Sequence, residues 1–80
     1  MTGGGWGGEL SVLDARVLRA TDALYTRSPE KIGELAGCAA DVALSRLRRL
    51  RACYLVENDY SRPRRWRRTH FGDVALEHSP

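Results

Sequence analysis

Between Ser28 and Gly37 the chain spells out both ends of one short helix. Ser28 offers a hydroxyl at the N-cap, Pro29 occupies the first helical position, and Glu30 puts an acid in the first turn. Gly37 stops the helix, whose inward face is predicted to carry Ile32, Leu35 and Ala36. Gly37-Cys38-Ala39-Ala40 then leaves room only for a tight turn before a longer third helix over about residues 40–53. A short helix turning sharply into a longer one is the constraint around which the remaining elements must pack.

On that third helix Ala43, Leu47, Leu50 and Tyr54 recur at i, i+4, i+7 and i+11, which predicts a buried stripe. At about 100° per residue, Asp41, Ser45, Arg48 and Ala52 point nearly the opposite way. Arg46 and Arg51 flank the stripe, where their stems can pack while their charged heads reach water. Upstream, Ser11 is the expected cap of a first helix running to about Tyr25, with Leu13, Val17, Ala20 and Leu24 as its apolar stripe. Downstream, a strand over about 54–57, turn residues Asn58-Asp59-Tyr60-Ser61, an edge-confined Pro63 and a strand over 64–68 predict a hairpin. Thr69 is expected to cap a last short helix through about Glu77, with Val74 and Leu76 available to pack. The expected class is mainly α with a small β-hairpin (α+β): a flexible glycine-rich tail over residues 1–9, then one domain over 10–77.

Charge is distributed unevenly over that plan. Residues 46–68 hold nine arginines against Glu57 and Asp59, a formal +7, while the whole chain carries +3. The chain is −2 before this segment and −2 after it. Such concentration points to a polyanion, of which nucleic acid is the commonest. Twelve of the 13 basic residues are arginine, which suits phosphate and bases, although a GC-rich coding genome produces the same skew.

Other classes find less support. No apolar run approaches the roughly 18 residues of a membrane span, and residues 1–10 lack the regions of a signal peptide, so a cytoplasmic protein is expected. Cys38 and Cys53 have no CxxC pairing and, on one helix, would stand on the order of 20 Å apart, so two small buried thiols are expected rather than a disulfide. His70 and His78 lack ligand partners, so neither a metal nor a cofactor is expected. No nucleophile or oxyanion site assembles around Glu57 and Asp59, so no enzyme is expected. Trp6 either stacks on a base, covers an apolar patch or is a loosely docked tail residue; for Trp66, strand alternation favours packing on the domain over stacking on a nucleobase.

Three helices followed by a hairpin also carry a resemblance in their residues. Glu34-Leu35-Ala36-Gly37, Asp41-Val42-Ala43-Leu44-Ser45-Arg46-Leu47-Arg48-Arg49-Leu50 and Tyr54-Leu55-Val56 resemble the "LAxxxGxxxxxVSRxLxxLxxxGLV" run of MarR- and ArsR-type regulators. Arg62-Pro63-Arg64-Arg65-Trp66-Arg67-Arg68-Thr69-His70-Phe71-Gly72 is similar to the wing and "LTxxG" of PadR- and MarR-type domains. The resemblance covers about residues 10–77 and implies a winged helix-turn-helix. By position it implies that Ala40, Asp41, Leu44, Ser45 and Arg48, with Arg49 beside them, face the major groove, and that Arg62, Arg64, Arg65 and Arg67 in the wing meet phosphate or minor groove. Leu44 and Ser45 stand where relatives often carry a hydroxyl residue followed by a cation, Cys53-Tyr54 replaces the glycine that ends the helix, and Arg68 replaces a buried leucine.

The expected function is therefore a small double-stranded DNA-binding protein, of a regulatory kind, that holds DNA through phosphate and reads it sparingly. The alternative is a winged-helix adaptor docking on an acidic protein partner, for which Ala40, Asp41 and Leu44 on the reading helix are the motive; an RNA-binding role ranks third. Two charge-based alternatives stand beside these readings: arginines of the third helix as a solvated face paired to Glu34 or Asp22, and the wing as an edge guarded by charge against aggregation. A homodimer through the first or last helix is open, and small size with an arginine skew is compatible with a phage or mobile-element product.

Overall fold

The computed structural model describes residues 10–78; Trp6 and the expected tail lie outside them. Among the described residues four helices and one two-stranded antiparallel hairpin follow in the order α1 (Val12–Ala20), α2 (Pro29–Ala36), α3 (Ala40–Ala52), β1 (Val56–Asn58), β2 (Trp66–Arg68) and α4 (His70–Glu77). The class is mixed α+β, as expected. No helix among the described residues is long and apolar enough to cross a membrane.

The local signals for α2 and α4 act as their chemistry requires. Ser28 accepts from the Lys31 amide, Pro29 begins α2, and Gly37 closes it in the left-handed conformation (φ 80°), which costs a residue without a β-carbon little. Thr69 caps α4 by accepting from the Gly72 amide at 3.1 Å.

The first helix is shorter than its periodicity predicts. Ser11 caps α1, but the helix ends at Ala20 and leaves Leu24, 77% exposed, outside the core. The cause is local competition by side chains. Thr21 Oγ1 donates to the Leu18 carbonyl, and Asp22 Oδ2 accepts from the amides of Leu24 and Tyr25 at 2.7 and 2.8 Å, folding the backbone into a turn. Val17, Leu18 and Ala20 form the buried face instead, with Leu13 half-buried. In α2, Ile32 and Ala36 face inward as expected whereas Leu35 is exposed.

One core joins the elements: Val17, Leu18 and Ala20 of α1, Ile32 and Ala36 of α2, Ala43, Leu47 and Leu50 of α3, then Leu55, Val56, Trp66 and Ala75. Packing of Trp66 on the domain is borne out, and Arg51 lies over its ring at 5.4 Å. Val74 and Leu76 are half-buried around the fully buried Ala75. Cys38 and Cys53 are free thiols at the two ends of α3, but each is half-buried rather than buried.

The hairpin is shorter than expected on both strands. It pairs Val56 with Arg68, Glu57 with Arg67 and Asn58 with Trp66. The connecting loop is closed by its own bonds: Asp59 N–H donates to the Arg65 carbonyl, Arg65 N–H to the Arg62 carbonyl, and the amide and hydroxyl of Ser61 to Asp59 Oδ1. On its other edge β2 meets the α1–α2 connection, where Arg27 and Trp66 exchange both backbone bonds at 2.9 and 2.8 Å and the Arg68 amide donates to the Asp22 carbonyl. Each outer edge of β2 is thus hydrogen-bonded, and the hairpin is held against the helices by backbone.

The end of α3 departs from its expected stripe. Tyr54, the fourth position of that stripe, is 74% exposed and sits at φ 64°. Its amide donates to the Arg51 carbonyl and the Leu55 amide to the Leu50 carbonyl, each at 2.9 Å, which is the double bond pattern that glycine usually supports. A tyrosine occupies the left-handed position, where a β-carbon costs roughly 1–2 kcal/mol.

Candidate nucleic-acid interface

The face of α3 opposite the core is open among the described residues. Asp41, Ser45, Arg48 and Ala52 are exposed, and Ala40 and Leu44 are half-buried at its edge. Arg48 makes no ion pair or side-chain hydrogen bond among the described residues. The flanks of this face are tied to different neighbours. On one side Arg46 and Arg49 approach the buried carboxylate of Asp14 on α1 at 3.6 and 3.9 Å. Their partner is thus Asp14, not Glu34 or Asp22. On the other side the Arg51 guanidinium donates to the Asn58 side-chain oxygen, and Asn58 Nδ2 donates to the Pro63 carbonyl at 2.8 Å. That relay fixes the hairpin loop to the C-terminal half of α3.

The hairpin arginines divide by what holds them. Arg62, Arg64 and Arg67 are exposed, and each carries a carboxylate partner: Asp59 at 3.4 Å, Glu30 at 2.7 Å and Glu57 at 2.5 Å. Arg65 is half-buried and donates to the Thr26 carbonyl at 2.7 Å and to the Thr26 hydroxyl, so it bolts the loop to the α1–α2 connection. Arg68 is half-buried too, with its side chain 18% exposed. It donates to the Leu18 and Thr21 carbonyls at 3.0 and 2.9 Å and to Asp73 at 2.6 Å. A cation there satisfies the carbonyls at the end of α1, as Arg27 does by donating to Ala20 at 2.7 Å. This explains an arginine where the resembled pattern has leucine.

Three carboxylates in this region are held below the ordinary carboxylate range. Glu30 is lowered first by its own backbone amide and then by Arg64; Asp59 by the hydroxyl and amide of Ser61; Asp22 by the amides of Tyr25 and Leu24. All three are therefore negative at neutral pH, so the hairpin presents ion pairs rather than bare cations. A phosphate reaching Arg62, Arg64 or Arg67 must displace or share with a carboxylate, at a cost within the roughly 0–1 kcal/mol of an exposed pair.

Of the ten positions read from the sequence, Asp41, Ser45 and Arg48 share the outward side of α3, with Arg49 on its α1 flank, whereas Ala40 and Leu44 are half-buried at its edge and Leu44 packs against the core. Arg62, Arg64 and Arg67 share the exposed loop and strand, and Arg65 turns inward. Sequence reasoning missed the cleft beyond Arg51, lined by Tyr54, Tyr60, His70 and Phe71. Its one visible signal was Cys53-Tyr54 standing in place of a helix-ending glycine. Among the described residues no group of three or more His, Cys, Asp or Glu side chains is placed to hold a metal ion. No protein-family model, curated protein or solved structure matches this chain.

Proposed function

We propose that the chain is a winged helix-turn-helix domain that binds double-stranded DNA, with α3 in the major groove and the hairpin as a wing along the backbone. The observation that carries this reading is the open face of α3, with Asp41, Ser45 and Arg48 (unpaired among the described residues) outward, beside an arginine-bearing loop tied to the same helix through Arg51, Asn58 and Pro63. An α-helix fits the major groove, and a rigidly attached loop sets a fixed distance from base edge to phosphate. The element order and the third edge contact at Arg27 support the winged form.

The chemistry divides between the two parts. Ser45 and Arg48 have the donors to meet base edges, and Asp41 can accept from a cytosine amino group. Arg62, Arg64 and Arg67 supply charge to phosphates once their carboxylates let go. With roughly four to six phosphates engaged, the logarithm of affinity falls with the logarithm of salt at a slope of about −4 to −5.

Fluorescence anisotropy on random and site-selected duplexes, from about 50 to 300 mM salt, tests the proposal. Arg62→Ala is expected to weaken every duplex alike and to reduce the slope by about one. Arg48→Ala is expected to alter the ranking among sequences. Binding that is absent, or insensitive to salt, would overturn the reading, and protein partners that persist after nuclease treatment would favour the adaptor instead.

A further inference from the structure

A second surface lies beyond the nucleic-acid face. The end of α3, β1, the hairpin loop and the first turn of α4 enclose an open cleft of about 570 Å³ whose walls include Arg51, Tyr54, Glu57, Tyr60, His70 and Phe71. Three large rings in it are turned to solvent: Tyr54 at 74%, Phe71 at 64% and Tyr60 fully exposed. Clustered exposed aromatics of this kind mark binding surfaces rather than ordinary surface scatter.

Tyr54 adds an independent sign. It occupies the left-handed position that ends α3, where glycine forms the same two backbone bonds without a β-carbon clash. Its carbonyl accepts from Thr69 Oγ1 at 2.6 Å, so the strained residue also joins α3 to the cap of α4. The fold gains nothing from a phenol pointing into solvent there. Strain retained at a position whose side chain lines a cleft points to use of that side chain.

We propose that this cleft docks a short protein segment presenting one large apolar side chain next to a carboxylate. The charge on its rim favours that occupant. Glu57 is neutralised by Arg67, whereas Arg51, stacked over Trp66, has only the neutral Asn58 amide as its hydrogen-bond partner among the described residues and keeps a net positive charge. A nucleic-acid strand needs a cation for each phosphate along its path, and one uncompensated arginine with Glu57 alongside does not provide that track. A second copy is also a poor fit. A two-fold interface sets the same surface against itself, and two concave aromatic clefts facing one another leave a void instead of the roughly 1,200–2,000 Å² of close contact that a stable pair needs.

Selection of randomised peptides on the full chain, with counter-selection on Phe71→Ala, tests the assignment. Enriched peptides are expected to carry a large apolar residue beside Asp or Glu. Their binding is expected to fall at least about tenfold with Phe71→Ala or Tyr54→Gly and several-fold when their acids become lysine. Amide shifts on binding are expected at Tyr54, Tyr60, His70 and Phe71 and not along Asp41, Ser45 and Arg48. Tyr54→Gly separates this role from a structural one, because it should raise the melting temperature while losing the peptide and retaining DNA binding. The proposal is overturned if no enriched peptide depends on Phe71 and Tyr54, or if acid-to-lysine peptides bind equally. It is also overturned if a single-stranded oligonucleotide shifts the same amides, or if light scattering finds a dimer that Phe71→Ala dissociates.

Discussion

Arg64 of the hairpin loop and Glu30 of the first turn of α2 meet at 2.7 Å, Nη2 to Oε2, across 34 positions of chain. The contact ties the loop to α2 and at the same time occupies a cation expected to reach phosphate. Because Glu30 is held ionised by its own amide as well as by Arg64, the pair persists at neutral pH. Removing the carboxylate charge is expected to free the arginine. Glu30→Gln should tighten binding to any duplex by up to about fivefold, the equivalent of one exposed ion pair, and the gain should shrink as salt rises. Anisotropy titrations at low and high salt read this directly; unchanged affinity at low salt would mean that Arg64 does not touch DNA.

Arg68 and Arg67 are adjacent in sequence and opposite in role. Arg68 holds two carbonyls at the end of α1 and Asp73 in α4, while Arg67 pairs in the open with Glu57. Arg68→Met is expected to cost roughly 2–3 kcal/mol, since three bonds from a charged donor are lost and the Thr21 carbonyl is left without its partner, while the Leu18 carbonyl keeps Thr21. Arg67→Met is expected to stay within about 1 kcal/mol. Urea unfolding of the two variants side by side measures the difference, and equal losses would contradict the division.

Gly72 marks how closely α4 approaches the hairpin. A β-carbon at that position would overlap the Leu55 carbonyl oxygen and the Arg68 side chain. The carbonyl is backbone and cannot yield cheaply, so Gly72→Ala should cost about 1–3 kcal/mol, at about 4–8 °C of melting temperature per kcal/mol for a domain of this size. Thermal melts followed by circular dichroism check it.

Acid should destabilise the fold only as pH falls into and below the usual carboxylate range. Asp22, Glu30 and Asp59 all have carboxyls lowered in the folded state, by backbone amides, by Ser61 and by arginines. A group lowered on folding contributes stability that is complete above its unfolded value and lost as pH falls through its folded one. The melting temperature is therefore expected to be level from about pH 8 to about pH 5 and to decline below about pH 4. A melting temperature that rises on acidification through that lower range would show that other groups control the fold.

What the sequence determined by itself was much of what is decided within a few residues. Ser28, Pro29 and Gly37 bound α2, Thr69 begins α4, and the spacing of Ala43, Leu47 and Leu50 turns α3 so that Asp41, Ser45 and Arg48 face outward. Caps and helical periodicity depend on neighbours one turn away, so they can be read without a fold. The end of α1 was local too, but there two signals competed: the apolar period ran on to Leu24, while the Asp22 side chain captured the next amides and won.

Tertiary structure alone decided what each arginine does. Arg65 and Arg68 are built into the frame by Thr26, Leu18 and Thr21, which lie some 39 to 50 positions away, whereas Arg62, Arg64 and Arg67 stay at the surface against carboxylates. Identical side chains in one short segment give identical sequence signals. Their roles differ because burial and hydrogen-bond partners are set by what the rest of the chain brings alongside. The aromatic cleft has the same origin: Tyr54, Tyr60 and Phe71 come from three elements, and only the joining of α3, hairpin and α4 makes them one surface.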